Sequence, residues 1–332
     1  MDKIKVMIVG YGNIGRGVRK AISANSDMEL VGIITRSPNC VKKVVSQIPI
    51  LHINDVDSWK KEFSPDVAIL CGGSKKDLPV QGPALIKHVC TVDCFGNRSS
   101  IPQYFDEMDK IAKNAGTSAV ISTGWDPGIF SLERVLASAF LPGSSTYDFY
   151  GLGEKGGLSM GHSNALRTLD EVIDARQFTH AIPEAIENIR KGKHSEFMAG
   201  DMHWRECFVV AKDGVDKVAL EEKIKSMPEY FEPYKTVVNF ISQEELDSKY
   251  ASFPHDGCVM ASGTTGDNNK AMIEYRCDWG SNPELTGNVL VAHARGVVRM
   301  SKEGKSGAFT ILDIPASYMS QHSQEMLLTK FM

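Results

Sequence analysis

Ile4-Lys5-Val6-Met7-Ile8-Val9-Gly10-Tyr11-Gly12-Asn13-Ile14-Gly15 stands near the start of the chain and decides how its first half is read. An apolar run of strand length ends at a glycine, and residues 13–24 then show helical periodicity. The glycines satisfy G-x-G-x-x-G. The first permits a tight turn, the second lets the backbone approach a pyrophosphate, and the third lets helix and strand pack closely. The helix that follows would offer free N–H groups and its positive dipole end to a diphosphate. With residues 28–34 as a second buried strand, the segment is a βαβ unit, and the glycine pattern in that place reads as a dinucleotide site.

Working outward, residues 66–71, 91–94 and 118–122 repeat the strand signal, and helical patterns over 78–88 and 102–114 separate them. Such alternation predicts a Rossmann-type, doubly wound parallel sheet. At the end of the second strand stands Thr35-Arg36-Ser37. A guanidinium flanked by two hydroxyls suits a 2′-phosphate, and no acidic residue occupies the place where one would bind the ribose of NAD. NADP is the expected cofactor; the alternative is an exposed loop arginine. Cys71-Gly72-Gly73-Ser74 ends a later strand and offers close backbone approach to the nucleotide. Ser122-Thr123-Gly124-Trp125-Asp126-Pro127-Gly128 ends another. There Thr123 and Gly124 are expected beside the cofactor, and Trp125 and Asp126 in the crevice where nicotinamide meets substrate. Asp126 could equally cap a helix with Pro127 at its first position.

Beyond Pro127, strand-like segments at 147–150, 206–211, 236–241 and 272–277 follow one another with polar turns between them. They predict a second, α+β domain with a mixed or antiparallel sheet for substrate binding and dimerisation. The expected division is 1–125 for the dinucleotide domain, completed by 300–332, and 126–299 for the second. An open sheet with one uncovered face would bury it in a homodimer.

Thirty-seven Lys and Arg against 41 Asp and Glu give a net charge of -4 with no basic block, which argues against nucleic acid as a partner. The longest apolar runs are strand-sized, far short of the ~20 residues of a membrane span. The chain enters a strand at once, so a cytoplasmic protein is expected. Its seven cysteines include no Cys-x-x-Cys pair. Cys71, Cys207 and Cys258 lie in apolar runs, which favours reduced structural thiols over a metal site.

Several of these motifs, with Gly161-His162-Ser163, Pro254-His255 and Ser306-Gly307-Ala308-Phe309-Thr310, resemble the meso-diaminopimelate dehydrogenase family over nearly the whole chain. The resemblance implies NADP, a homodimer and oxidative deamination of the D centre of a small amino acid substrate, meso-2,6-diaminopimelate. It implies that Thr179, Arg205, His255 and Asn282 clamp the distal L head, that Tyr150, Met160 and Gly161 line the substrate pocket, and that Asp126 orients the reacting amine. The chain departs from the family pattern at Gly96 and Asn164, where aspartates are expected, at Met160, where glutamine is expected, and at an inserted Glu154-Lys155-Gly156-Gly157. Two rival readings share the fold: a related dehydrogenase acting on a different head, and a non-catalytic NADPH sensor. A sensor has no need of Trp125-Asp126 or of the clamp.

Overall fold

The computed structural model describes residues 2–45, 47–193, 196–228 and 230–332. Two compact units emerge: Met1–Leu132 together with Pro283–Met332, and Glu133–Asn282.

The first unit contains β1 (Ile4–Val9), β2 (Met28–Thr35), β3 (Ile50–His52), β4 (Val67–Leu70), β5 (Cys90–Asp93), β6 (Ser118–Val120) and a last strand, Gly307–Phe309. They form one sheet in the order Gly307–Phe309, β6, β5, β4, β1, β2, β3, with every pairing parallel. Helices cover both faces, which is why β1 and β4 read as unbroken apolar runs: Val6 to Val9 and Val67 to Leu70 are fully buried. Met7 and Val9 pack with Trp59 and Leu78 on one face, while Val6 and Ile8 pack with Val18 and Leu290 on the other. The strand order reverses between β1 and β4, and the turns leaving their carboxyl ends flank the crevice where such sheets bind nucleotides.

The sequence placed the boundaries at 125 and 300. The first unit instead keeps residues to Leu132 and resumes at Pro283, because the helix Asn282–Lys302 belongs to its core. Leu290, Val291, Ala294 and Val297 are buried in the same cluster as β1. A Cβ on Gly287 would fall 2.5 Å from the Gly17 carbonyl carbon, so the helices Asn13–Ser23 and Asn282–Lys302 cross at glycines. Arg295 is 2% exposed, and so large a buried charge is tolerable only when fully partnered. It grips Asp27 through Nε at 2.6 Å and Nη2 at 2.8 Å, and donates to Asn25 Oδ1 and the Met319 carbonyl. The same guanidinium holds the Asp27 carboxyl below its ordinary range.

The second unit contains β7 (Ser145–Tyr150), β8 (Gly157–Leu158), β9 (Val172–Ala181), β10 (His203–Ala211), β11 (Lys235–Phe240), β12 (His255–Thr264) and β13 (Lys270–Trp279). One sheet runs β11, β10, β9, β8, and a second runs β13, β12, β7. Only β10 and β11 are parallel, so the first sheet is mixed and the second antiparallel. Gly151 and Leu158 donate backbone hydrogen bonds to Asp256 and Pro254, and Ala181 donates to Gly151, which ties the sheets together. Gly151 has φ +72°, and a Cβ there would fall 1.8 Å from the Thr179 carbonyl oxygen. Only glycine fits. That close approach brings the end of β7 against β9, and with it Tyr150 towards Thr179.

Candidate functional site

At the first unit's crevice, Gly10 takes φ +86° and lies beside the next turn, its Cβ direction 3.7 Å from the Cys71 carbonyl. Gly15 packs so tightly that a Cβ would fall 2.3 Å from the Gly10 oxygen. A Cβ on Gly12, by contrast, would meet nothing within 4 Å. Gly12 precedes the helix Asn13–Ser23 without a side-chain cap, and the first turn holds no acidic residue. The helix therefore presents uncapped N–H donors, the donor set that fits a diphosphate. Tyr11 accepts a hydrogen bond from Arg19 at 3.2 Å, and Asn13 accepts one from Arg16. Ile14 packs partly buried against the core. Thr35 ends β2, its Oγ1 accepting from the Ser37 N–H at 3.3 Å.

The end of β2 carries no acidic residue, but folding brings one to Arg36 from elsewhere. Asp77 arrives from the turn after β4, with Oδ1 3.0 Å from Arg36 Nη1, while its Oδ2 accepts from the Gly73 N–H at 2.9 Å. A fold that brings the β2 and β4 turns together cannot be seen at the end of β2 alone. If Arg36 reads the 2′-phosphate as the sequence leads one to expect, Arg36→Ala should raise the KM for NADP about tenfold or more, through loss of a charge-assisted contact. NAD should be scarcely affected. Steady-state kinetics with both cofactors checks this, and equal losses would show that the guanidinium does not read the phosphate.

Burial pushes the Cys71 thiol well above its ordinary range, which disfavours the thiolate. Ser74 Oγ accepts from the Gly96 N–H at 2.9 Å, joining the turns after β4 and β5. Beneath them Asp93 is fully buried, accepting from the N–H groups of Phe95 and Ser122 and from the Tyr104 hydroxyl at 2.9 Å. Burial nonetheless raises its pKa to about 6. Thr123 donates its N–H to the Asp93 carbonyl, which fixes the turn carrying Trp125 and Asp126.

That turn is closed by Gly124 N–H to Pro127 O at 3.1 Å and Ile129 N–H to Gly124 O at 3.1 Å, and the Asp126–Pro127 peptide is cis. The helix starts only at Ile129, so Asp126 is not its cap and Pro127 is not its first residue. Trp125 is buried edge-on against Phe130. Asp126 pairs with Arg98, a residue the sequence reading missed, since nothing at 98 marks it. Gly96 lies close by: a Cβ would stand 3.8 Å from Pro127 Cδ, an ordinary contact.

The second unit gathers its own polar cluster. Thr179 and Arg205 face each other across β9 and β10, and Arg205 donates to the Thr179 hydroxyl. Arg205 is 7% exposed and lies 4.0 Å above the Tyr234 ring. Burial lowers its pKa, and Tyr234 opposes that shift. Among the described residues no carboxylate pairs with it. Burial, assisted by the Arg205 charge, pushes His162, His203 and His255 down to about 3, so all three are neutral near pH 7. His203 Nε2 accepts from the Tyr150 N–H at 3.0 Å, and the Tyr150 ring contacts His203 and His255. Asn282 is buried, its N–H donated to the Phe253 carbonyl at 2.8 Å.

Glycines at 156 and 157 permit close packing here. A Cβ on Gly157 would fall 2.3 Å from His255 Nδ1, and one on Gly156 2.6 Å from His180. Met160 packs instead into an apolar cluster with Leu158 and Phe178, whereas Gly161 and Asn164 are exposed. His162, Gln177, His203 and Tyr234 were not anticipated as members. Gln177 and Thr179 share a strand face at i and i+2, and that spacing of two buried polar residues was the available signal. No group of His, Cys, Asp and Glu able to hold a metal occurs among the described residues.

A family model described as the diaminopimelic acid dehydrogenase C-terminal domain matches residues 124–281. The meso-diaminopimelate D-dehydrogenase of Ureibacillus thermosphaericus is 45% identical over 98% of each chain. The C. glutamicum DAP dehydrogenase, solved in complex with DAP, has TM-score 0.93 at 38% identity over 100% of both chains. An engineered D-amino acid dehydrogenase bound to NADP+ has TM-score 0.89 at 37% identity, covering 99% of this chain and 100% of its own.

Proposed function

The chain belongs to the meso-diaminopimelate D-dehydrogenase family, and we propose from that premise that it catalyses NADP-dependent oxidative deamination of meso-2,6-diaminopimelate. Oxidation of the D centre by NADP, with uptake of one water, gives L-2-amino-6-oxopimelate, ammonia and NADPH. NADP, when bound, supplies the hydride acceptor. The turn from Gly10 to Gly15 would hold its diphosphate, with Thr35, Arg36, Ser37, the Cys71–Ser74 turn, Thr123 and Gly124 around it.

One observation carries the reading. Arg205 is a buried guanidinium facing a hydroxyl, an aromatic ring and neutral imidazoles, with no carboxylate of the described chain to compensate it. A buried charge in that state calls for an anion, and the carboxylate of an amino acid head supplies one in bidentate geometry. Thr179, His255 and Asn282 fix the head around it, and Tyr150 bounds the pocket. In the first unit we assign Asp126 to orienting the reacting amine and accepting its proton, with Arg98 holding the carboxylate in place. The chemistry is the cofactor's, and the chain contributes orientation and charge.

The reading is tested by NADPH formation with meso-, LL- and DD-diaminopimelate and a panel of D-amino acids. The meso isomer should be the preferred substrate and the LL isomer, which has no D centre, inert. Turnover of simple D-amino acids in preference to the meso isomer would overturn the clamp.

Two coarser expectations complete the proposal. A homodimer is supported by β13, which edges its sheet half-exposed along its length, with Met272 43% exposed. A cytoplasmic location fits a biosynthetic activity and free cysteines; no helix among the described residues is long and apolar enough to cross a membrane.

A further inference from the structure

Gln177 is fully buried on β9, one strand position pair from Thr179, and has no place in the scheme above. Its Nε2 donates to Thr179 Oγ1 at 3.3 Å, and its Oε1 meets no donor among the described residues. An amide kept dry with an unsatisfied oxygen is uncommon in a native interior and asks for a reason. Cys207, directly opposite on β10, is equally buried and supplies none.

The reason lies in the valence of the Thr179 hydroxyl. A hydroxyl carries one hydrogen and two lone pairs. Arg205 is a donor in every state, so its bond to Oγ1 occupies one lone pair. The bond from Gln177 Nε2 occupies the other. What remains on Thr179 is its hydrogen. Left to itself, a threonine hydroxyl beside a guanidinium could rotate its proton towards any neighbouring acceptor. Held by two donors, it must act as a donor, and a donor is what an incoming carboxylate requires.

We propose that Gln177 is a positioning residue for substrate carboxylate recognition: by donating to Thr179 from beneath, it turns the Thr179 hydroxyl proton towards the distal carboxylate that Arg205 binds. The inference rests on the clamp described above and adds to it a residue that touches no substrate. It also explains why the position holds an amide. Glutamate in the same volume would accept from Thr179, draw the proton away from the ligand and set a negative charge beside the incoming carboxylate. Methionine would keep the volume and remove the donor.

The test is a double-mutant cycle on the full-length enzyme with meso-diaminopimelate. Gln177→Met and Thr179→Val should each raise the KM about tenfold, with kcat and the KM for NADP changed by less than about twofold. Because both act through one hydrogen bond to the ligand, Gln177→Met should add almost nothing in the Thr179→Val background. Gln177→Glu, which retains hydrogen-bonding capacity but reverses its sense, should raise the KM more than Gln177→Met and serves as the second probe if the methionine variant folds poorly. Fully additive effects, or an unchanged KM in both Gln177 variants, would overturn the inference and leave the clamp standing. A Thr179→Val enzyme with unchanged KM would overturn the clamp reading and this inference with it.

Discussion

Arg205→Ala is expected to raise the KM for meso-diaminopimelate on the order of 100-fold or more, the usual consequence of truncating one member of a buried hydrogen-bonded charge pair. The KM for NADP should hold, since the nucleotide motifs lie in the other unit. The size follows from burial: Arg205 is 7% exposed, so its contact with a carboxylate is little screened by solvent. Lysine should recover only part of the loss. It restores the charge, but neither the planar fork that holds a carboxylate bidentately nor the stacking on Tyr234 at 4.0 Å. Initial rates across substrate concentration separate these cases. An alanine enzyme with native KM would remove Arg205 from the site.

At the reacting end, Asp126→Asn should lower kcat about 100-fold, the range associated with losing a positioned acid–base group. Asparagine keeps the shape of the turn, so the loss should appear in single-turnover NADPH formation and not in cofactor affinity. A native kcat would assign Asp126 a structural role only. Gly96→Asp tests the same locus from the opposite direction. The position needs no left-handed backbone, and its Cβ would have ordinary contacts with Ser74, Cys94 and Pro127. An aspartate there would set a second carboxylate beside the Asp126 turn and should raise kcat/KM on meso-diaminopimelate about tenfold, because the D-centre ammonium gains an anionic neighbour. A fall would mean that the Arg98–Asp126 pair already sets the charge this site requires. Met160 and Asn164 offer weaker handles, one being packed among apolar side chains and the other exposed.

The nucleotide unit was legible because its signals are local. β1, the glycine turn and the helix after it are consecutive, and parallel strands buried on both faces announce themselves as apolar runs. The second unit was harder to read because its buried strands carry polar side chains. β9 carries Gln177, Thr179 and His180 at buried positions, and β12 begins with His255, Asp256 and Gly257. Neither strand shows the apolar alternation by which strands are recognised, and both were passed over. Of the clamp residues named from the resemblance, Thr179 and Arg205 meet across β9 and β10, while His255 lies against the Tyr150 ring. What the sequence withheld were partners that meet only after folding. Asp77 reaches Arg36 from another turn, Arg98 reaches Asp126 across 28 residues, and Tyr234 lies under Arg205 from beyond β10. The boundary near 283 was also hidden, because a helix with ordinary amphipathic texture does not declare which core it will join.

The discontinuity of the first unit also governs how the chain comes off the ribosome. When Met1–Leu132 has emerged, β6 is an open sheet edge, since its neighbour Gly307–Phe309 has not been made. The cluster around Val6 and Ile8 still lacks Leu290, Val291, Ala294 and Val297, and Asp27 still lacks Arg295. All of Glu133–Asn282 must be synthesised before these gaps close. During that interval the nucleotide unit exposes apolar surface and an unpaired edge, the two features that lead nascent chains to associate wrongly. The second unit is contiguous in sequence and faces no such delay. The half of the protein that is easiest to recognise is therefore the half that finishes folding last, and chaperone dependence should concentrate there.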